Sequence, residues 1–299
     1  MERSDMERRV SFQAAEEEAL MTVGQLLAKR GLTRRQISAA KFRRAGICLN
    51  GEPVFVVAPV RPGDLVEILV ETKEDVWDSL VPEPGPVEVL YEDEDLIAAV
   101  KPANLASHPC GSHYQNTMAN RMAAYFAEKE EQVRIRAIGR LDRETSGVMV
   151  FAKNRAAAGN LFAQKEDGRF RKTYLALVSG KLTKPEGVID SPIGKGQGIR
   201  MRVDPGGKQA VTRYRVLQSG QTSAVLLQIE TGRTHQIRVH LASIGHPILG
   251  DPLYGGDCSR IGRTALHAWK ASFVHPFTGE PIDVEAGIPE DIGQILYSC

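Results

Sequence analysis

Apolar residues along this chain follow two rhythms, and the change between them divides it. From Thr22, Val23, Leu26 and Leu27 recur at helical spacing and stop at Gly31, which predicts a short helix. Thr33 with Gln36 three residues on predicts a capping box that opens a second helix. That helix carries Arg34, Arg35, Lys41, Arg43 and Arg44 and should end at Gly46. Two short strands are expected at "ICLN" and "EPVFV" across an Asn50-Gly51 turn, and "RPGDLVEILVE" adds a turn and another strand. Ahead of this unit, residues 1–19 read as a tail, polar and poorly ordered over 1–9, with a short edge strand at 10–14. After it, "SLVPEPGPVEV" has the prolines and glycine of a linker, placed at 73–87.

Beyond the linker, strand-like runs dominate: "VEVLY", "LIAAV", "GVMVFAK", "TYLALVSG", "VTRYRVL" and "SAVLLQIE". Helical stretches interrupt them near 117–129, 155–164 and 234–244. Strands outnumber helices and do not alternate regularly with them. The expected class is therefore α+β: a mainly antiparallel sheet with flanking helices over 88–299, and a small α+β unit over 20–72.

Composition narrows the partners. The 299 residues are enough for one or two domains with a substantial core. Charge is balanced, 38 basic against 37 acidic residues, so a nucleic-acid partner has to be argued from local patches. Cys48, Cys110, Cys258 and Cys299 lie far apart with no C-x-x-C pair and no signal peptide, which predicts a reduced, cytoplasmic protein without structural zinc. No apolar run approaches the roughly 18 residues of a membrane span, so a soluble protein without a membrane partner is expected.

Several motifs fail on inspection. Gly194-Lys-Gly196-Gln-Gly198 lacks the spacing of a phosphate loop and reads as a flexible hairpin tip. His235 and His240, five apart, would stand about 140° apart on a helix and cannot share a metal. Ser146-Gly147 lacks a nucleophile elbow. Asp142 has Glu144, not a second aspartate, two residues on. What remains is "GRLDRETSGVMVFAK", where Arg140, Asp142, Arg143 and Glu144 crowd a turn just before a buried strand. Charge runs usually mark a solvated surface worth little. The alternative is a fixed carboxylate, kept ionised by an arginine, acting as nucleophile or base.

Family resemblance favours the second reading. "GRLDRETSGVMVFAK" resembles the catalytic motif of pseudouridine synthases. "KPANLASHPCG", "RKTYLALVSG", "GKQAVTRYRV", "ETGRTHQIRVHLASIGHPILGDPLYGG" and "LHAWKASFVHPFTGE" resemble that family's other motifs in order. "LLAKRGLTRRQISAAKFRRAGICLNGEPV" followed by "VRPGDLVEI" resembles the S-four-like RNA-binding domain. Together they point to the RluA/RluD-type branch, over about residues 20 to 290. Two positions depart, since that branch usually has histidine at Gly139 and glycine at Asn104. Neither alters the arginine, aspartate, threonine, serine or glycine of the central motif.

The resemblance implies isomerisation of uridine to pseudouridine in structured RNA, ribosomal RNA of the large subunit ahead of transfer RNA, without metal or cofactor. It makes Asp142 the essential carboxylate, which can attack the anomeric carbon, attack the ring, or remove a sugar proton to give a glycal. Arg238 of "THQIR" is its implied partner, on a helix capped by Thr234 with Ile237, Leu241 and Ile244 buried. Tyr174 is implied beneath the uracil, where stacking is worth roughly 1–3 kcal/mol per base. Arg140 would fill the space left by the flipped nucleotide. Lys172 and Arg233 are expected at phosphates, as are Arg34, Arg35, Lys41, Arg43 and Arg44. A monomer is expected. The rivals are a non-catalytic RNA-binding ribosome-assembly factor, against which an intact Asp142 and Tyr174 argue, and a small-molecule hydrolase, in which the basic unit would lack a purpose.

Overall fold

The computed structural model describes residues 8–71, 80–109, 115–131 and 133–298. Cys110, Cys299, residues 1–7 of the expected tail and 73–79 of the expected linker lie outside the described residues. Two helices open the chain's first unit, α1 (Val23–Lys29) and α2 (Arg34–Lys41). In each, a threonine hydroxyl accepts the N–H of the glutamine three residues on, and the glutamine side chain accepts the threonine N–H in return. α2 ends at Lys41, capped by Phe42, so Arg43 and Arg44 sit in the turn after it and not on the helix.

Four strands complete this unit: β1 (Arg8–Gln13), β2 (Ile47–Leu49), β3 (Glu52–Pro53) and β4 (Leu65–Glu71), in the order β1-β4-β2-β3. The edge strand expected at 10–14 begins at Arg8, inside the stretch expected to be poorly ordered, because it pairs with β4 along its length. Asn50 and Gly51 turn with φ of 51° and 84°, the left-handed pair that a tight hairpin requires. β3 is shorter than "EPVFV" suggested. The carbonyls of Val56 and Ala58 accept the N–H groups of Gly24 and Val23, so the backbone leaves the sheet to satisfy the exposed donors of α1.

The larger unit places β5 (Glu88–Glu92), β6 (Leu96–Lys101), β7 (Arg136–Ala137), β8 (Ser146–Ala152), β9 (Arg171–Ser179), β10 (Glu186–Asp190), a short hairpin of β11 (Ile193–Lys195) and β12 (Met201–Val203), then β13 (Val211–Gln218), β14 (Thr222–Ile229), β15 (Leu266–Val274) and β16 (Pro281–Glu285). Its helices are α3 (Met118–Glu128), α4 (Arg155–Glu166), α5 (Gln236–Ser243) and α6 (Glu290–Leu296). The sheet runs β10-β13-β14-β9-β15-β8-β6-β5, with β16 beside β15 and β7 beside β8. Its pairings are antiparallel except β15 with β8. The protein is α+β.

β8 shows how a period of two builds both layers. Met149 and Phe151 face the core that holds Met118, Met122 and Phe126 of α3, while Val148 and Val150 face the core that holds Ala157 and Leu161 of α4. The sheet is thus covered on both faces, and every residue of β8 is buried. Gly147 at its start has φ of 113°, and an added Cβ would lie 2.2 Å from the Ala268 carbonyl oxygen. Only glycine lets β15 pass this close. Ala268 stands opposite Gly147 on one side and Tyr174 on the other. The sheet therefore brings Tyr174 level with the turn that precedes β8.

The first unit docks on the second. Arg8 makes a two-pronged ion pair with buried Asp95 at 2.9 and 2.6 Å, and Asn154 donates to the same carboxylate at 2.7 Å. Gln36 donates to the Arg155 carbonyl, and Ala156 belongs to the first unit's core. Leu80 and Val87 from the expected linker pack on the core beneath α3, and Asn120 of α3 donates to the Val81 carbonyl. Those linker residues are part of the packed body.

Candidate active site

The turn carrying Asp142 is fixed by its neighbours atom by atom. Ser107 donates its hydroxyl to the Leu141 carbonyl at 2.6 Å and accepts the Leu141 N–H at 2.9 Å. Lys101, fully buried, donates to the carbonyls of Pro102, Leu105 and Arg143 at 2.8, 2.7 and 3.1 Å. Burial pushes its ammonium down to about 7, while the charge of Asp142 works to keep it protonated. Three acceptors match the three N–H bonds of the charged form. Arg143 donates to the Asn104 carbonyl, Thr264 to the Glu144 carboxylate, and Arg263, itself paired with Asp291, to the Glu144 carbonyl. Arg143 and Glu144 are therefore struts of the turn.

The cation facing Asp142 comes from α5. Arg238 Nη1 lies 3.6 Å from Asp142 Oδ2. Its Nε and Nη2 donate to the two oxygens of Asp251 at 2.7 and 2.8 Å, and its guanidinium lies 5.1 Å from the centre of the Tyr254 ring. Burial would lower Arg238's pKa, but the hydrogen bonds and charge of Asp251, helped by Asp142, raise it. Asp251 is fully buried, whereas the Asp142 side chain is 20% exposed. One carboxylate anchors the arginine and the other is open to a ligand.

α5 differs from expectation at both ends. Its N-cap is His235, not Thr234, in a left-handed conformation with φ of 55°. The Gln236 side chain satisfies the turn before it, accepting from the Arg233 N–H and the Thr231 hydroxyl. Ile237 and Leu241 are buried, but Ile244 is 39% exposed because the helix has already ended at Ser243. His240 bonds Thr212 and the Ser191 carbonyl, a packing role, while His235 bonds the Tyr254 hydroxyl.

Two adjoining cavities, about 620 and 1210 Å³, meet at Arg140, Leu141, Asp142, His235 and Arg238. Tyr174, Lys172, Arg233 and Leu266 line the larger. Tyr174 is 6% exposed, and burial together with the charge of Asp142 pushes its hydroxyl upward. Its proton stays on at neutral pH. Arg140 is exposed at the mouth with no hydrogen-bond or ion-pair partner among the described residues. Lys172 donates to the Val148 carbonyl at 2.9 Å, and burial, then the charge of Lys165, push it down to about 7. Arg233 donates through Nε to the Gln209 carbonyl. Arg34, Arg35, Lys41 and Arg44 are exposed on the first unit, outside this cleft, and Arg43 is half-buried.

Residues 95–243 match the family model of RNA pseudouridylate synthases. The RNA pseudouridine synthase YhcT of Bacillus subtilis is 43% identical over 251 residues, 82% of each chain. The chain belongs to this family. A second relative from Bacillus subtilis, the RNA pseudouridine synthase YjbO, is 37% identical across 92% of this chain and 98% of its own. The ribosomal large subunit pseudouridine synthase D of Nitrosomonas europaea is 40% identical over 225 residues, 71% of this chain and 65% of that protein. The solved human RNA pseudouridylate synthase domain containing 1 superposes with a TM-score of 0.56 at 25% identity, over 72% of this chain and 96% of that one. The protein is thus an isomerase of the RluA/RluD type that acts on RNA. No helix among the described residues is long and apolar enough to cross a membrane.

Sequence reading missed Asp251, Lys101 and Tyr254, although each stood inside a quoted motif. Asp251 carried a signal, an acidic residue in the apolar run "HPILGDPLYGG", which is costly unless paired. Replacing it leaves the Arg238 charge buried against a weaker acceptor. Asp251→Asn is expected to cost about 3 kcal/mol in urea unfolding. Its turnover should fall more than its RNA affinity, because Asp251 is closed off from the cleft. Unchanged stability and unchanged single-turnover rate would contradict the anchoring role.

Proposed function

We propose that Asp142 is the essential carboxylate of uridine isomerisation and that the substrate is structured RNA, with large-subunit ribosomal RNA as the target class. The observation that carries this is the open Asp142 carboxylate on the cleft floor with Arg238 at 3.6 Å and Tyr174 lining the same cleft. In the reaction the bond from uracil N1 to the sugar breaks and one from C5 forms. C5 gives up a proton and N1 gains one, so atoms and electrons balance without an oxidant. Attack on the anomeric carbon, attack on the ring and formation of a glycal all begin from ionised Asp142. Arg238 favours that charge, and its own anchoring keeps it from being drawn into solvent.

Tyr174 supplies a ring for the uracil and a hydroxyl that stays protonated, suited to holding Asp142 or the ring by a hydrogen bond. Arg140, without a partner among the described residues, is the side chain that fills the space of a flipped nucleotide. Lys172 and Arg233 are phosphate contacts of lower rank, because each already donates to a carbonyl. Residues 20–72 serve as an S-four-like RNA-binding domain. The exposed Arg34, Arg35, Lys41 and Arg44 and the half-buried Arg43 neutralise phosphates whatever the base sequence. The enzyme works as a monomer in the cytoplasm, and relatives named for the large ribosomal subunit support the ribosomal target.

Unmodified transcripts of large-subunit ribosomal RNA and of transfer RNAs, incubated with the protein and mapped for pseudouridine, test the target. Conversion at discrete ribosomal uridines is expected, and conversion in transfer RNA alone would overturn the ribosomal assignment. Tyr174→Phe keeps the ring and loses the hydroxyl. Its RNA affinity should stay near wild type while its single-turnover rate falls by about 10²-fold or more, the scale of general acid–base groups. A fully active Phe variant would restrict Tyr174 to stacking.

A further inference from the structure

Glycine at position 139 leaves room that another side chain uses. An added Cβ there would lie 3.1 Å from the ammonium of Lys165, and a Cβ on Gly232 would lie 3.8 Å from it. Lys165, in the last turn of α4, therefore sets its charge between the turn that carries Asp142 and the turn that leads into α5. It lines the cleft with Asp142, Arg140 and Tyr174, and no hydrogen bond or ion pair holds it among the described residues. The second ammonium on this wall belongs to Lys172, and the two repel each other. Three of the acids nearby are already engaged. Asp167 pairs with Arg169 at 2.6 Å, Glu230 with Arg213 at 2.6 Å, and Asp142 faces Arg238. Glu166 follows Lys165 on the helix and is exposed.

An anion set between two ammonium groups relieves their mutual repulsion and favours the charged form of each. A base carbonyl is neutral and would not relieve that repulsion, whereas a phosphodiester carries a full charge. We propose that Lys165, reaching over bare Gly139, binds the RNA phosphodiester next to the target uridine, with Lys172 as its companion. The site would hold the substrate strand on the wall of the cleft while the base enters toward Asp142. This rests on the Asp142 cleft being the reacting one.

The test uses the full chain and a short oligouridylate as probe. Lys165→Met keeps the length of the side chain and removes its charge, and Lys165→Arg restores the charge. The slope of log affinity against log salt should become shallower by about 0.7 in the Met variant, the change for one lost single-strand phosphate contact. The Arg variant should recover the wild-type slope, and both should keep the wild-type Tm. A Met variant with the wild-type slope would overturn the proposal. So would an Arg variant that loses slope and Tm together, which would mark Lys165 as structural. An Asp142→Asn protein separates the two readings. If it still turns over uridine, the placement of chemistry fails. If it is inactive while the Lys165 variants share one slope, the phosphate site fails alone.

Discussion

The guanidinium of Arg238 holds two carboxylates in unequal ways, and the cleft depends on that inequality. Asp251 is fully buried and takes two short, parallel hydrogen bonds, so it fixes where the guanidinium points. Asp142 receives the remaining amino group at 3.6 Å, close enough for charge and long for a hydrogen bond. A tight pair with Asp142 would have spent the carboxylate on the arginine. Leaving it partly unsatisfied keeps an anion available to a ligand, while the Tyr254 ring and Asp251 hold the cation in place.

The same economy governs the turn beneath it. Charges next to Asp142 in sequence do not neutralise it: Arg143 reaches the Asn104 carbonyl, and Glu144 is tied to Thr264 and Arg263. Lys101 supports the turn from below. The turn also depends on Gly147, which admits β15 and so sets Tyr174 level with Asp142 two strands away. The placement of Tyr174 relative to Asp142 is a property of the sheet register, and the loops refine it.

Much of this was legible in the chain. The capping box at Thr33, the Asn50-Gly51 turn and the buried apolar strand β8 follow from local rules, and each is present. Asp142, Arg238 and Tyr174 were named from motifs, and the fold brings them to one cleft. What escaped was non-local. That Asp251 closes on Arg238 depends on a chain reversal after α5. That Lys165 reaches Gly139 depends on how α4 lies across the turn. The stop of α5 is the local exception, since Gly245 turns with φ of 84° and the N–H groups of Gly245 and His246 close on the Ala242 and Leu241 carbonyls. The packing of Leu80 and Val87 on the core depends on neighbours far along the chain. Local spacing carries no trace of such contacts.

The most direct measurement is single-turnover conversion of unmodified large-subunit ribosomal RNA transcript by Asp142→Asn beside the wild type, with RNA affinity and Tm measured on the same samples. The amide keeps the size of the side chain and loses the anion. If Asp142 carries the chemistry, the variant forms no pseudouridine while its affinity and Tm stay close to wild type. Pseudouridine formed by the variant at a rate near that of the wild type would contradict it.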